Sequence, residues 1–327
     1  RRAPDRTTGG RMIGQLAGDS LGSLVEFQTP ERIATIHPDG VTRLETGGVW
    51  GTLAGQPTDA SEMALVLARS MIRTGRYDSD QAARAYLAWF RSRPFDMGST
   101  TSGVLAHADR RVAEGQSSGE ACRSSANGVS QSNGALMRVS PVGIACEPEQ
   151  AYEEGGRDSG LTHSHTVCRE ASALYCAAIS QAIRTGDGAQ AVYDWTAELA
   201  ARRFVSQPVA GALSSARHAA PPGYLDRQGW VLTALQNAFY QLLHASSPAE
   251  GVIDTVARGG DADTNGATAG ALLGAVYGFR RFPAQWVDRV LTVRPLRGLP
   301  GVNRPRPTEC WPTDAMYLAE LLATLGS

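Results

Sequence analysis

Gly259-Gly260-Asp261-Ala262-Asp263-Thr264-Asn265-Gly266, continued by Ala267-Thr268-Ala269-Gly270-Ala271-Leu272-Leu273-Gly274-Ala275-Val276-Tyr277-Gly278, is the stretch on which the fold turns. Two glycines lead into two aspartates and a threonine, and a helical run begins there. That run is small-sided, with Gly266, Ala267, Ala269, Gly270, Ala271, Gly274 and Ala275. Small side chains let another helix approach closely, as the central helix of a bundle requires. A plain N-cap explains Asp263 ahead of a Thr264–Gly278 helix. It does not explain why Asp261 stands there as well, after two glycines.

Further helices are expected on either side. Met63, Leu67 and Met71 recur at i, i+4 beside Val66 and Ile72, and Leu232, Leu235, Phe239, Leu242 and Leu243 keep the same period. The Ala-rich stretch from Cys168 to Ile183 and the C-terminal pattern from Ala315 to Leu325 also read as helix. Alternating patterns are scarce, and Gly40 to Leu44 is the best short strand candidate. Gly47-Gly48, the run Gly98-Ser99-Thr100-Thr101-Ser102-Gly103 and Pro221-Pro222-Gly223 read as turns between helices. No repeat of solenoid length and no Pro/Ser-rich linker divides the chain. The expectation is all-α: a single compact multi-helix domain over residues 11–327, after a disordered leader over residues 1–10.

The 327 residues are 42% hydrophobic, enough for a large core, and carry a formal net charge of −1. That charge offers no bulk attraction to nucleic acid or to an anionic membrane, so neither is an expected partner and any bound anion needs a local site. Five cysteines at irregular spacing, with no CxxC pair, make neither a disulfide framework nor a zinc cluster. Reduced thiols fit a cytoplasmic setting, with secretion by a non-classical route left open. No segment has the run of apolar residues that a membrane span needs, and the polar N-terminus lacks the apolar stretch of a secretory signal.

A second acidic cluster lies about 200 positions upstream: Pro57-Thr58-Asp59-Ala60-Ser61-Glu62-Met63-Ala64-Leu65. Read by itself, Asp59 with Glu62 fits a capping box. Read with Asp261, Asp263 and Thr264, it supplies carboxylates and hydroxyls without His or Cys, the ligand set for hard, oxygen-loving cations such as Mg²⁺ or Mn²⁺. A metal-dependent phosphohydrolase on another helical scaffold would need basic residues nearby to hold a phosphate, and Arg258 is the only close one.

Here the sequence resembles the ADP-ribosylglycohydrolase family. Thr58-Asp59-Ala60-Ser61-Glu62-Met63-Ala64-Leu65 is similar to that family's Thr-Asp-Asp-Thr/Ser-x-Met-Ala-Leu pattern, and Gly259 to Asn265 match its Gly-Gly-Asp-x-Asp-Thr-Asn. Gly18-Asp19-Ser20-Leu21-Gly22 with Glu26-Phe27, Asn133-Gly134-Ala135-Leu136-Met137-Arg138-Val139-Ser140-Pro141 and Thr162-His163-Ser164-His165 resemble three further family segments. In the last of these, Thr166 replaces the usual proline. The matches run in order from about Arg11 to Gly278.

The resemblance implies an all-α fold around a central binuclear Mg²⁺ or Mn²⁺ site. Thr58, Asp59, Asp261, Asp263 and Thr264 would be metal ligands. Glu26 aligns with a carboxylate that reaches the metal or gates the substrate. Glu26, Asp59, Asp261 and Asp263 are the candidate catalytic carboxylates, and which of them orients the water stays open. Gly98, Ser99 and Thr100, with Asn133, Gly134 and Ala135, would cradle ADP-ribose, and His163 would contact it; backbone N–H groups in such turns bind a pyrophosphate without a large positive charge. Asp19 reads as structural. The implied activity is hydrolysis of the bond between ADP-ribose and a modified protein side chain, arginine foremost, with serine, threonine or a nucleotide left open.

The departure is Ala60, which stands where the family carries a ligating aspartate. A methyl group cannot coordinate, so one ion is expected to be weakly held or absent and turnover to fall by orders of magnitude. Two explanations compete: an engineered or recent exchange, preferred because the other ligand positions are intact, and a natural pseudoenzyme that keeps the pocket as an ADP-ribose-binding module.

Overall fold

The computed structural model describes residues 10–326. Of the leader expected over residues 1–10, only Gly10 falls among them, and it opens the first helix; the rest lies outside the described residues. Sixteen α-helices follow in order: α1 (Gly10–Gly22), α2 (Pro30–Ile36), α3 (Asp59–Thr74), α4 (Ser79–Arg91), α5 (Ser99–Ala113), α6 (Ser118–Ser125), α7 (Ser140–Ala145), α8 (Pro148–Ser159), α9 (Thr166–Thr185), α10 (Ala189–Arg202), α11 (Gln207–Ala216), α12 (Val231–His244), α13 (Pro248–Ala257), α14 (Ala262–Tyr277), α15 (Ala284–Thr292) and α16 (Ala315–Leu325). Among the described residues there is no strand, only three isolated bridges. None of their helices is long and apolar enough to cross a membrane.

The small-sided run becomes α14, which is buried from Ala262 to Ala275. Its neighbour is α1, whose Gly14, Gly18 and Gly22 repeat every four residues. A Cβ placed on Gly14 would stand 2.1 Å from the Gly270 carbonyl oxygen, and one on Gly22 would stand 2.2 Å from that of Ala262. The pairing runs in opposite senses along the two helices, so they are antiparallel. Backbone meets backbone because neither helix has a side chain to hold them apart. The consequence is functional: the C-terminal end of α1, leading to Glu26, lies against the N-terminal end of α14, which carries Asp261, Asp263 and Thr264.

The start of α3 is brought to the same place by Asp19. This buried carboxylate accepts from Thr58 N (3.1 and 3.2 Å to its two oxygens), Thr58 Oγ1 (2.7 Å) and Ser61 N (2.9 Å). Asp19 thus satisfies N–H groups at the α3 terminus that a local N-cap would otherwise serve. The capping-box reading of Asp59 and Glu62 is corrected accordingly. Thr58 is the N-cap, with no cap bond from its side chain, and Asp59 is the first helical residue. Glu62 turns the other way, accepting from Trp89 Nε1 (2.7 Å) and from Arg306 Nε and Nη2 (2.7 and 2.8 Å). Asp263 is likewise inside α14 rather than its cap, because the helix begins one residue after Asp261.

Two other expectations change. Residues 40–44 form no strand; Val41 and Leu44 are buried anchors of an irregular segment. The Gly98–Gly103 run is not a turn between helices but the beginning of α5, with Gly98 as its N-cap. Ser and Thr compete with the helical backbone in the middle of a helix but are tolerated in its first turn, which is where they sit. One continuous apolar core runs from Met12 to Leu322. All five cysteines are buried and unpaired.

Candidate active site

The three termini open onto one cleft of about 400 Å³. Its lining includes Glu26 and Phe27 after α1, Asp59 of α3, and Gly98, Ser99 and Thr100 of α5. Asn133 and Gly134, in the turn before a single 3₁₀ turn (Leu136–Arg138), also line it, as do Asp261 and Thr264. Residues from five separate parts of the chain therefore share one wall.

Carboxylate oxygens of Glu26 and Asp261, which line the cleft, and of Asp263, which is buried and does not, lie within 4.8 Å of one another. Each has a defined neighbour. Trp50 donates its indole N–H to Glu26 Oε2 at 2.5 Å, Asn133 Nδ2 donates to Asp261 Oδ2 at 2.8 Å, and Thr58 Oγ1 is 3.1 Å from Asp263 Oδ2. Asp59 Oδ2 accepts from Gly98 N at 3.2 Å, tying the α3 start to the α5 start. No Arg or Lys is among the residues that line the cleft.

Burial pushes these acids upward, with repulsion from neighbouring acids adding to it at Asp59, Glu26 and Asp263: Asp59 to about 7, Glu26 to about 8, and Asp261 and Asp263 above the usual carboxylate range. Acids packed this closely, without a cation, stay protonated or acquire one. The donors are all oxygen, and they sit where a hard divalent ion would neutralise them, so the residues fit such an ion. Thr58 Oγ1 and Thr264 N both bond to Asp263, and Asp59 lines the cleft with Asp261.

Beside this cluster, α5 points its N-terminus into the cleft. The early N–H groups of a helix have no intrahelical partner, and together with the helix dipole they favour an anion. The Gly98 N–H of that terminus is taken by Asp59, so the donors left for an anion are those of Ser99 and Thr100.

Some expected residues do not reach it. Ala135 is fully buried and is not among the residues that line the cleft. His163 is also fully buried, with Nδ1 2.8 Å from Thr162 Oγ1 and Nε2 2.9 Å from Ser132 Oγ. Burial, and then the charge of Arg138, pull its pKa down to about 3, so the ring is neutral. It packs beneath Gly134, where an added Cβ would come within 3.0 Å of the ring, and so supports the Asn133-Gly134 turn instead of meeting a ligand in the cleft. His165 is the N-cap of α9.

Other residues were missed. Asp96 lines the cleft, and burial followed by the charges of Asp59 and Glu26 raises it to about 10. An acid two residues ahead of a Gly-Ser-Thr-Thr helix start was a usable signal. Trp50, whose ring also lies 5.9 Å from that of Phe95, carried none, because only the fold delivers it to Glu26. Phe27 lines the cleft yet is 61% exposed, and its φ is +62°. That conformation costs a bulky residue on the order of 1–3 kcal/mol. It is held by Phe27 N donating to Gly260 O (2.7 Å) and Gly260 N donating to Gln28 O (2.9 Å).

The pattern for the family described as ADP-ribosylglycohydrolase matches residues 2–307. The chain is 30% identical over 286 residues to the ADP-ribosyl-dinitrogen reductase glycohydrolase of Rhodospirillum rubrum, covering 86% of this chain and 89% of that protein. It is 25% identical over 298 residues to the ADP-ribosylarginine hydrolase Tri1 of Pseudomonas putida, covering 88% and 75%. In fold it matches a solved structure described as an ADP-ribosylglycohydrolase-related protein complex, with a TM-score of 0.77, 24% identity and 99% of each chain covered.

Proposed function

Because this chain belongs to the ADP-ribosylglycohydrolase family, we propose that its cleft hydrolyses the bond between ADP-ribose and a modified protein side chain, with arginine as the acceptor. The observation that carries the reading is that Glu26 and Asp261, which meet the buried Asp263, line the same cleft as the α5 N-terminus. An ADP-ribosyl group needs both halves: N–H donors for its pyrophosphate and a charged, oxygen-rich site at its distal ribose. The arginine acceptor is supported by relatives named for that linkage.

Thr58, Asp59, Asp261, Asp263 and Thr264, with Glu26, would hold Mg²⁺ or Mn²⁺. Bound there, such an ion would supply Lewis-acid polarisation of sugar oxygens and of a water. The chain does the remainder. Backbone N–H groups of Ser99 and Thr100, which line the cleft, hold the pyrophosphate. Asn133 fixes the orientation of Asp261, and Trp50 that of Glu26. A carboxylate of the cluster orients the attacking water, and the bond to the acceptor breaks through an oxocarbenium-like state.

Ala60 favours a second reading. A chain with one fewer ligand could keep the cleft for binding alone, as a reader of ADP-ribose. Release of ADP-ribose from an arginine-modified protein in Mg²⁺ or Mn²⁺, compared between this chain and Ala60→Asp, decides between the two. Release by Ala60→Asp that is orders of magnitude faster marks a disabled hydrolase. Binding of ADP-ribose by both proteins with release by neither marks a reader.

A further inference from the structure

Three non-glycine residues among those described have a positive φ: Phe27, Arg93 and Phe204. Phe27 alone of the three lines the cleft. It follows Glu26 directly and is clamped to Gly260, the residue before Asp261, so both of its backbone anchors are neighbours of the acid cluster. Glycine would adopt this conformation without cost. An aromatic ring is present instead, largely exposed, so core packing does not account for it. The other aromatic beside Glu26, Trp50, gives its N–H to that carboxylate and is less exposed than Phe27.

A largely exposed aromatic ring at the wall of the cleft is an arrangement that attracts a cation, through the ring quadrupole alone. Among acceptor side chains, the guanidinium of arginine is planar and charged and stacks on aromatic faces, whereas serine and threonine offer neither property. We propose that Phe27 is a specificity-determining residue that stacks on the guanidinium of the arginine acceptor. This inference rests on the arginine-linked reading of the cleft given above.

The test is a binding measurement. Calorimetry in Mg²⁺ would compare free ADP-ribose, a hydrolysis-resistant arginine-linked ADP-ribosyl peptide and a serine-linked one, on the unmodified chain, Phe27→Gly and Phe27→Leu. Phe27→Gly is expected to weaken the arginine-linked peptide by roughly three- to thirtyfold, the range of a cation–π contact, and to leave ADP-ribose and the serine-linked peptide unchanged. Phe27→Leu retains apolar area without the π face and should show most of the same loss. Thermal unfolding of Phe27→Gly should be at or above that of the unmodified chain, which separates lost contact from lost fold. Equal weakening of all three ligands, or an unweakened arginine-linked peptide, overturns the assignment of Phe27. If the unmodified chain binds none of the three, the reading of the cleft fails, and this inference fails with it.

Discussion

Gly18 of α1 and Gly266 of α14 pack so closely that a Cβ on Gly18 would stand 2.1 Å from the Gly266 carbonyl oxygen. Backbone is on the far side of that contact, so nothing flexible can yield. Gly18→Ala is therefore expected to force the helices apart and to cost about 1–3 kcal/mol or more, with weaker divalent-ion binding because Glu26 and Asp261 depend on that contact for their spacing. Chemical denaturation with and without Mg²⁺ checks both effects. An alanine variant of unchanged stability would show that the contact is looser than described.

Glu62 and Arg306 form an ion pair in which the side chains are 1% and 3% exposed. Burial raises the Glu62 pKa, and the bonds from Arg306 oppose that rise. Removal of one partner leaves the other as an unpaired buried charge. Arg306→Ala should thus cost roughly 3–5 kcal/mol, whereas the paired change Glu62→Leu with Arg306→Met should cost clearly less. A double variant as unstable as Arg306→Ala would mean that the pair itself, and not the orphaned charge, matters.

His163 gives a pH signature. Its folded-state pKa is depressed to about 3, against about 6.5 when unfolded. Between those values the unfolded chain binds the extra proton, so the contribution of this histidine is present above about 6.5 and is lost as pH falls toward 3. At pH 5 the loss is on the order of 2 kcal/mol. His163→Gln, which retains polar contacts without the titration, should lose less stability than the parent chain between pH 7 and pH 5. Parallel unfolding curves for the two proteins across that range would contradict a neutral buried ring.

Ala60 is fully buried within the apolar core. Without metal, Ala60→Asp buries another carboxyl group beside an acid cluster and should be less stable than the parent chain. With Mg²⁺ or Mn²⁺ the order should reverse or the gap should close, because an added ligand strengthens ion binding to the folded state alone. Thermal unfolding with EDTA and with each ion measures this. A metal-induced rise no larger for Ala60→Asp than for the parent chain would remove position 60 from the ligand set.

Helices were readable from the sequence wherever a short-range rule governed them. The i, i+4 repeat of Met63, Leu67 and Met71 became α3, and the small residues after Asp263 became the helix that α1 packs against. The same is true of the oxygen-only ligand set, because residue chemistry is present in the sequence before any folding. Tertiary structure alone decided where each carboxylate would turn. Asp59 and Glu62 look like one capping box, yet Asp19 serves the helix start from 39 residues away and Arg306 claims Glu62 from 244 residues away. Likewise His163 went beneath the turn and Phe27 into the cleft. A helical period is set by hydrogen bonds four residues apart, whereas the partner of a buried charge is set by whichever group the packed chain brings within reach, and that separation has no counterpart in local sequence.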